Sequence, residues 1–285
     1  MRSAVASLIA CLALAVLATC GDSGPGPSKP PPPPPVNTPP QIRSLTASDA
    51  RAEADVPITL TAVVEDAETP VANLEYAWGA AVGTFVGTGP RVTWIAGQTV
   101  ATPADVLITL TVTERFTSGT TQGENRVTST TSVRLHNSPR ELRDMSLRFL
   151  GDFANSRVAP EQCVSEFSDS CSGKSEELAD VQRNRHDYEI LSSSLRHTSL
   201  SIAGNRLTAT VHTACSFTSK VITNQVVDPG CQNCKLGDVG STSGDCVTTN
   251  VYERGRWWLC TSSYVSPNGA FTAWERAFFG IRGAR

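Results

Sequence analysis

Between residues 41 and 137 apolar and polar residues alternate with a period of two, as in Ile58-Leu60-Ala62-Val64 and Val106-Ile108-Leu110-Val112, and each run is bounded by Gly, Pro, Asp or Asn. Such alternation turns one face of a strand to a core and the other to water. It predicts seven strands, over 41–47, 56–65, 73–79, 82–86, 90–95, 105–114 and 126–136, spaced as in an antiparallel sandwich with Trp78 and Trp94 between its sheets. After residue 137 the period becomes helical. Ser138-Pro139-Arg140-Glu141 reads as a capping box with proline at the first helical position, and the stripe Leu142, Met145, Phe149, Phe153 follows it. Pro160 opens a short second helix carrying Val164 and Phe167, and residues 175–185 read as a third, with Leu178 and Val181 inward. Period two returns at Tyr188 and Ile190. It continues through Thr198, Leu200 and Ile202, a turn at Gly204-Asn205, and an inward row of Leu207, Ala209, Val211, Thr213, Cys215 and Phe217, a long hairpin. A second hairpin spans 246–264 and turns at Arg254-Gly255.

The segment before residue 41 carries an address. Arg2 supplies a positive charge, and residues 4–18 form an apolar run broken only by Ser7. A run of about 15 residues is short of the ~20 that span a bilayer and reads as an export signal over 1–19. Leu17-Ala18-Thr19-Cys20-Gly21 resembles the lipobox of bacterial lipoproteins, which implies cleavage before Cys20, a lipid on its thiol and a membrane as partner. Ten of the 18 prolines fall between residues 21 and 40, including the run 30–35. Such a segment favours polyproline II, and residues 20–40 read as a stalk of at most ~60 Å. Gly21-Asp22-Ser23-Gly24 matches the surroundings of a trypsin-like nucleophile, but a stalk offers neither base nor oxyanion hole, so the match is read as chance.

Composition narrows the function without naming it. The net charge is −3, and residues 41–137 hold six Lys and Arg against ten Asp and Glu. With no basic domain, nucleic acid is not an expected partner. Glu65, Asp66 and Glu68 form an acidic loop of the kind that holds calcium in some sandwiches; the plainer reading, three solvated carboxylates, is adopted, and no cofactor is expected.

Asn37-Thr38-Pro39-Pro40, followed by Asp66-Ala67-Glu68-Thr69-Pro70 leading to Tyr76-Ala77-Trp78, resembles the PKD-like and immunoglobulin-like modules of bacterial surface proteins. Helices followed by long strands, closing in Val251-Tyr252-Glu253-Arg254-Gly255-Arg256-Trp257-Trp258, resemble the nuclear-transport-factor-2-like fold. Together these imply a multidomain chain: an all-β immunoglobulin-like sandwich over 41–137, then an α+β cone-shaped domain over 138–285. The second resemblance also implies a pocket between sheet and helices, for which Phe149, Phe153, Tyr188 and Trp258 are the candidates. Its relatives include ketosteroid isomerases, polyketide cyclases and many members without known catalysis. No catalytic residue carries over, so a non-catalytic binding or structural lipoprotein of the cell envelope is expected, with an isomerase or cyclase as the alternative. On the closing hairpin Tyr252, Trp257 and Leu259 share the face opposite Trp258. Both faces are apolar, so this one is expected to be covered by the sandwich, a second copy or a protein partner.

Nine cysteines occur. Cys11 leaves with the signal, Cys20 takes lipid, and Cys163, Cys171, Cys215, Cys231, Cys234, Cys246 and Cys260 read as an export-type disulfide framework with one thiol left over. Cys163 and Cys171 flank a short loop and are the expected pair. Cys231-Gln232-Asn233-Cys234 lies in a Gly- and Pro-rich loop, which disfavours a redox motif, and zinc on Cys231, Cys234 and Cys246 would need a fourth ligand. A two-residue loop at Gly204-Asn205 would set His197 opposite His212 on the outward face, a weak metal candidate or a pair that repels when protonated.

Overall fold

The computed structural model describes residues 36–228, 231 and 233–267; the export signal, Cys20, most of the stalk, and Pro229, Gly230 and Gln232 of the Cys231–Cys234 loop lie outside them. Of the two compact units into which the chain divides, Met1–Asn37 and Thr38–Arg285, the second holds every helix and strand among the described residues.

Its first part is two sheets sharing cores. One contains β1 (Gln41–Ala47), β3 (Ile58–Glu65), β6 (Arg91–Ile95) and β5 (Thr84–Val86) in that order. The other contains β2 (Arg51–Glu53), β8 (Thr121–His136), β7 (Ala104–Ser118) and β4 (Glu75–Ala80). The inward rows meet as Leu60, Trp94, Ile108 and Leu135, and the indole N–H of Trp94 is satisfied by the Val82 carbonyl at 3.1 Å. Trp78 is half-buried beside the same core and donates to the Gly89 carbonyl. All seven expected strands are present. β2 was not expected, because Arg-Ala-Glu offers one apolar side chain, Ala52, and a single buried position makes no period. β2 pairs parallel to the end of β8, Arg51 with Arg134 through Glu53 with His136.

The second part is one antiparallel sheet covered by helices: α1 (Ser138–Ala154), α2 (Pro160–Cys163), α3 (Gly173–Asp187), then β9 (Tyr188–Ile202), β10 (Thr208–Val221), β11 (Val239–Glu253) and β12 (Arg256–Val265), in the order β12-β11-β10-β9. The α1 stripe is buried as its spacing requires. Phe149 meets Phe167 edge-on at 5.1 Å, and Phe153 meets Phe217 at 5.8 Å, the tilted geometry that aromatic quadrupoles favour. The chain is thus β-rich, with three antiparallel or mixed sheets.

Four expectations are corrected. The α1 cap is Asn137, whose Oδ1 accepts from the Arg140 amide while Glu141 reaches back to the Asn137 amide. Cys171 pairs with Cys260, not with Cys163; among the described residues the other disulfides are Cys215–Cys246 and Cys231–Cys234, and Cys163 is the buried free thiol. The Cys171–Cys260 bridge brings the start of α3 so close to β12 that a Cβ on Gly173 would land on the Cys260 carbonyl. The closing hairpin is turned over: Trp257 and Leu259 are 3% and 0% exposed, whereas Trp258 faces outward, half-buried beneath the Arg256 guanidinium at 3.9 Å. The two apolar rows were indistinguishable in sequence; the ladder settles them, because β11 sends Cys246, Thr248 and Asn250 inward against β10 and leaves Val247 and Val251 on the outer row. Lastly, the loop between β9 and β10 is longer than two residues. Ala203 bonds Thr208, Arg206 takes φ 59°, and Leu207 is half exposed rather than inward.

β8 passes into α1 through Asn137 alone, so the two parts have no adjustable linker. Side chains of both seal the joint. Glu53 accepts from the Ser138 amide at 3.0 Å and from its hydroxyl at 2.7 Å. The same hydroxyl oxygen accepts from Trp257 Nε1 at 2.8 Å and from Arg51 at 3.2 Å. Arg206 bridges Glu53 and Asp49 and donates to the Arg51 carbonyl, and the Arg51 guanidinium lies 3.4 Å above the Tyr252 ring. His136, fully buried, links Tyr252 and Glu141 at 2.9 and 2.8 Å. Since a carboxylate only accepts, Nδ1–H donates to Glu141, and in the neutral ring Nε2 accepts from the Tyr252 hydroxyl. Tyr252, expected on a face needing cover, is covered by the paired sheets. Ser138→Ala strips one acceptor and one donor from buried partners, and its unfolding free energy in urea should fall by about 1–3 kcal/mol with an unchanged m-value; a loss below about 0.5 kcal/mol would show that the hydroxyl is not the centre of the joint.

Candidate functional site

The space beneath the single sheet is largely filled. Phe149, Phe153, Phe167 and Phe217 occupy it, and Tyr188 is buried with its hydroxyl 3.5 Å from Asp228 Oδ2. Asp187, also buried, accepts from the Val227 and Asp228 amides and fixes the loop that supplies Asp228. Burial, then the charges of Asp228 and Asp187, push the Tyr188 hydroxyl well above its usual range, so it remains a neutral donor. Of the four expected pocket residues, Phe149, Phe153 and Tyr188 are therefore inside and Trp258 is outside.

What remains there is a cavity of about 50 Å³ bordered by Phe149, Phe153, Phe217, Tyr264, Ser262 and Glu177 of α3. Glu177 is pushed up to about 7 by burial and by the neighbouring Asp180 carboxylate, against the opposing pull of the Ser262 hydroxyl and the Arg183 charge. In the sequence Glu177 is one of two adjacent glutamates on a polar helix, with no sign of this environment. The sheet's inner face is unusually polar. Ser146 and Thr248 bond each other at 2.7 Å, but Thr213 Oγ1, Thr242 Oγ1 and Asn250 Oδ1 are buried without a partner among the described residues.

The roomier cavity lies at the joint. It measures about 740 Å³ and is walled by the β2–β3 turn, the first turns of α1 and the far end of β9. Val56, Ile58, Leu200 and Ile202 form its apolar side; Arg140, Arg143 and His197 line it from α1 and β9. A second cleft, about 320 Å³, opens on the other flank of α1 between Thr102, Pro103, Glu141, Arg148 and Trp257.

The histidine pairing fails on register. His212 faces Ser199; the ladder then slips past Thr198, and His197 faces Thr213. Because Thr213 belongs to the inward row, the bulge moves His197 to the helix side of the sheet, while His212 stays on the outer side with Nδ1 bonded to Asp245. The two rings cannot share a metal or repel each other across the pair. The acidic loop is likewise dispersed: Glu65 takes Arg43, Glu68 takes Thr38, and Asp66 Oδ1 accepts from the amides of Glu68 and Thr69. Among the described residues no group of three His, Cys, Asp or Glu side chains is placed to hold a metal.

No protein-family pattern and no curated protein matches the chain. Solved structures give loose partial likenesses. A conserved protein from Planctomyces limnophilus aligns at 16% identity over 46% of this chain and 99% of its own, with a TM-score of 0.32. The intermembrane-space region of the chloroplast protein ARC6 aligns at 10% over 45% and 95%, with a TM-score of 0.31. A protein of unknown function from Mycobacterium tuberculosis aligns at 10% over 45% and 70%, with a TM-score of 0.30. Similarity this loose bears on neither site.

Glu177 makes a pH prediction. Its folded-state value is raised, so the folded protein keeps a proton that the unfolded chain has already lost between about pH 4.5 and 7, and stability falls as pH rises through that window. Thermal melts of wild type should show this decline, and Glu177→Gln should flatten it. Equal slopes for the two proteins would show that Glu177 titrates normally.

Proposed function

We propose that the chain is a non-catalytic lipoprotein of the bacterial cell envelope, a binding or structural module held to a membrane by lipid on Cys20. In this reading residues 1–19 are the signal and 20–40 the stalk. An immunoglobulin-like, PKD-like sandwich over 41–137 and a nuclear-transport-factor-2-like domain over 138–285 make up the remainder. The observation that carries the non-catalytic part is the packing beneath the single sheet. A catalyst of that fold takes its substrate there, and aromatic side chains leave only about 50 Å³, little more than room for water. Export is supported by three disulfides with the seventh cysteine buried, an arrangement at home in an oxidising compartment. Radioactive palmitate fed to the native host should label wild type and leave Cys20→Ser unlabelled; equal labelling of both would remove the anchor.

The alternative, an isomerase or cyclase, draws on one observation. Glu177 borders the residual cavity with a proton affinity near neutrality, as a general acid or base requires. A base there would catalyse exchange of a proton next to a carbonyl. Incubated in D₂O with small enolisable ketones, the non-catalytic module should give the same deuterium incorporation by NMR for wild type and Glu177→Gln. Exchange by wild type well above the variant would transfer the proposal to the enzyme.

A further inference from the structure

We propose that the 740 Å³ cavity at the joint binds a single-chain amphiphile with an oxyanion head group, its alkyl chain against Val56, Ile58, Leu200 and Ile202 and its head at Arg140 and Arg143. The proposal deepens the reading of the chain as a binding module and rests on it.

Size is the first argument, since small-molecule sites run from about 300 to 1,000 Å³ and are mostly apolar with a few convergent polar groups. Charge is the second. The cavity's two acids are already committed: Asp49 to Arg206, and Glu53 to Arg206 and the first amide and hydroxyl of α1. Arg140 and Arg143, by contrast, share a single carboxylate, Asp144, at 3.7 and 2.9 Å. Three residues apart on one helix, they lie on the same face and leave an uncompensated positive charge at the cavity wall. A cationic head would find no free acid there, and a neutral hydrocarbon would leave the guanidiniums unused. His197, turned to this side by the Thr198 bulge, also lines the cavity.

The test is calorimetric titration of the full chain carrying Cys20→Ser, so that no attached lipid competes, with amphiphiles kept below their micelle concentrations. Dodecanoate or dodecyl phosphate should bind one to one, and the tighter of the two identifies the oxyanion. Dodecanol and dodecyltrimethylammonium should bind at least about tenfold more weakly, the scale of a lost charge-assisted hydrogen bond. Arg140→Gln/Arg143→Gln should weaken both anions by a similar factor and leave dodecanol unchanged. Val56, half exposed, can be changed without touching a core, and Val56→Asp should weaken every amphiphile that binds. Equal affinity for the anion, alcohol and cation, or no effect of the double arginine variant, would overturn the assignment of the head group. Absence of binding by all four would overturn the site. The anchor is read by palmitate labelling and this site on an unanchored chain, so either can fail while the other stands.

Discussion

A helix that begins one residue after a strand ends cannot choose its own angle. Asn137 is the only residue between β8 and α1, so the helix direction follows from the strand's, and the first turn of α1 is pressed against β2 and the closing hairpin. Free amides at a helix start must find acceptors when water is excluded. Asn137 serves the Arg140 amide, Glu141 the Asn137 amide and Glu53 the Ser138 amide. Glu53 thereby brings a charge into a half-buried site, and Arg51 and Arg206 answer it. Desolvating such groups costs several kcal/mol, which a single ion pair rarely recovers. Here each guanidinium also donates to a backbone carbonyl of the other's residue, Arg51 to Arg206 and Arg206 to Arg51, so donors as well as charges are matched.

That mutual bond explains the hairpin that the sequence misread. Gly204-Asn205 has the composition of a two-residue turn, and local chemistry alone favours one. The turn actually leaves Arg206 in the left-handed region, an unfavourable place for a side chain with a Cβ. Its contacts with Asp49, Glu53 and the Arg51 carbonyl, residues more than 150 positions away, offset that cost. Long-range contacts of this kind leave no trace in a window of ten residues. The same holds for Cys171, whose partner lies 89 residues distant while a nearer cysteine stood available.

Strands, helices and the α1 stripe were legible because each is written in a local period. Which side of a strand faces the core was legible only where one row is clearly more polar. Along β10 it is, and Ala209, Val211, Cys215 and Phe217 face inward as read. Along β11 the polar row, Thr248 and Asn250, is the buried one, held by the Cys215–Cys246 bridge and by Ser146 of α1, and the valines lie outward. Trp258 pairs with Val251 of the outer row and Leu259 with Asn250 of the inner one, so the side that β11 turns to the core decides which tryptophan is buried. Charged residues were harder still. Arg51, Glu53, Arg206 and Glu177 look in sequence like ordinary solvated positions, and only the fold gives each a buried partner or a cavity.

The polar inner face and the aromatic filling pull in opposite directions, and their balance decides what the space beneath the sheet can do. Thr213, Thr242 and Asn250 offer hydrogen-bonding atoms of the sort that orient a substrate. Orientation, however, requires a volume in which the substrate's reacting atoms come within about 3 Å of an acid or base, and Phe149, Phe153 and Phe217 crowd that volume around Glu177. At the joint the terms are reversed: there is volume, an apolar wall and uncompensated charge. Because the walls of that site come from both sides of the Asn137 connection, the joint that fixes the angle of α1 also fixes the shape of the cavity.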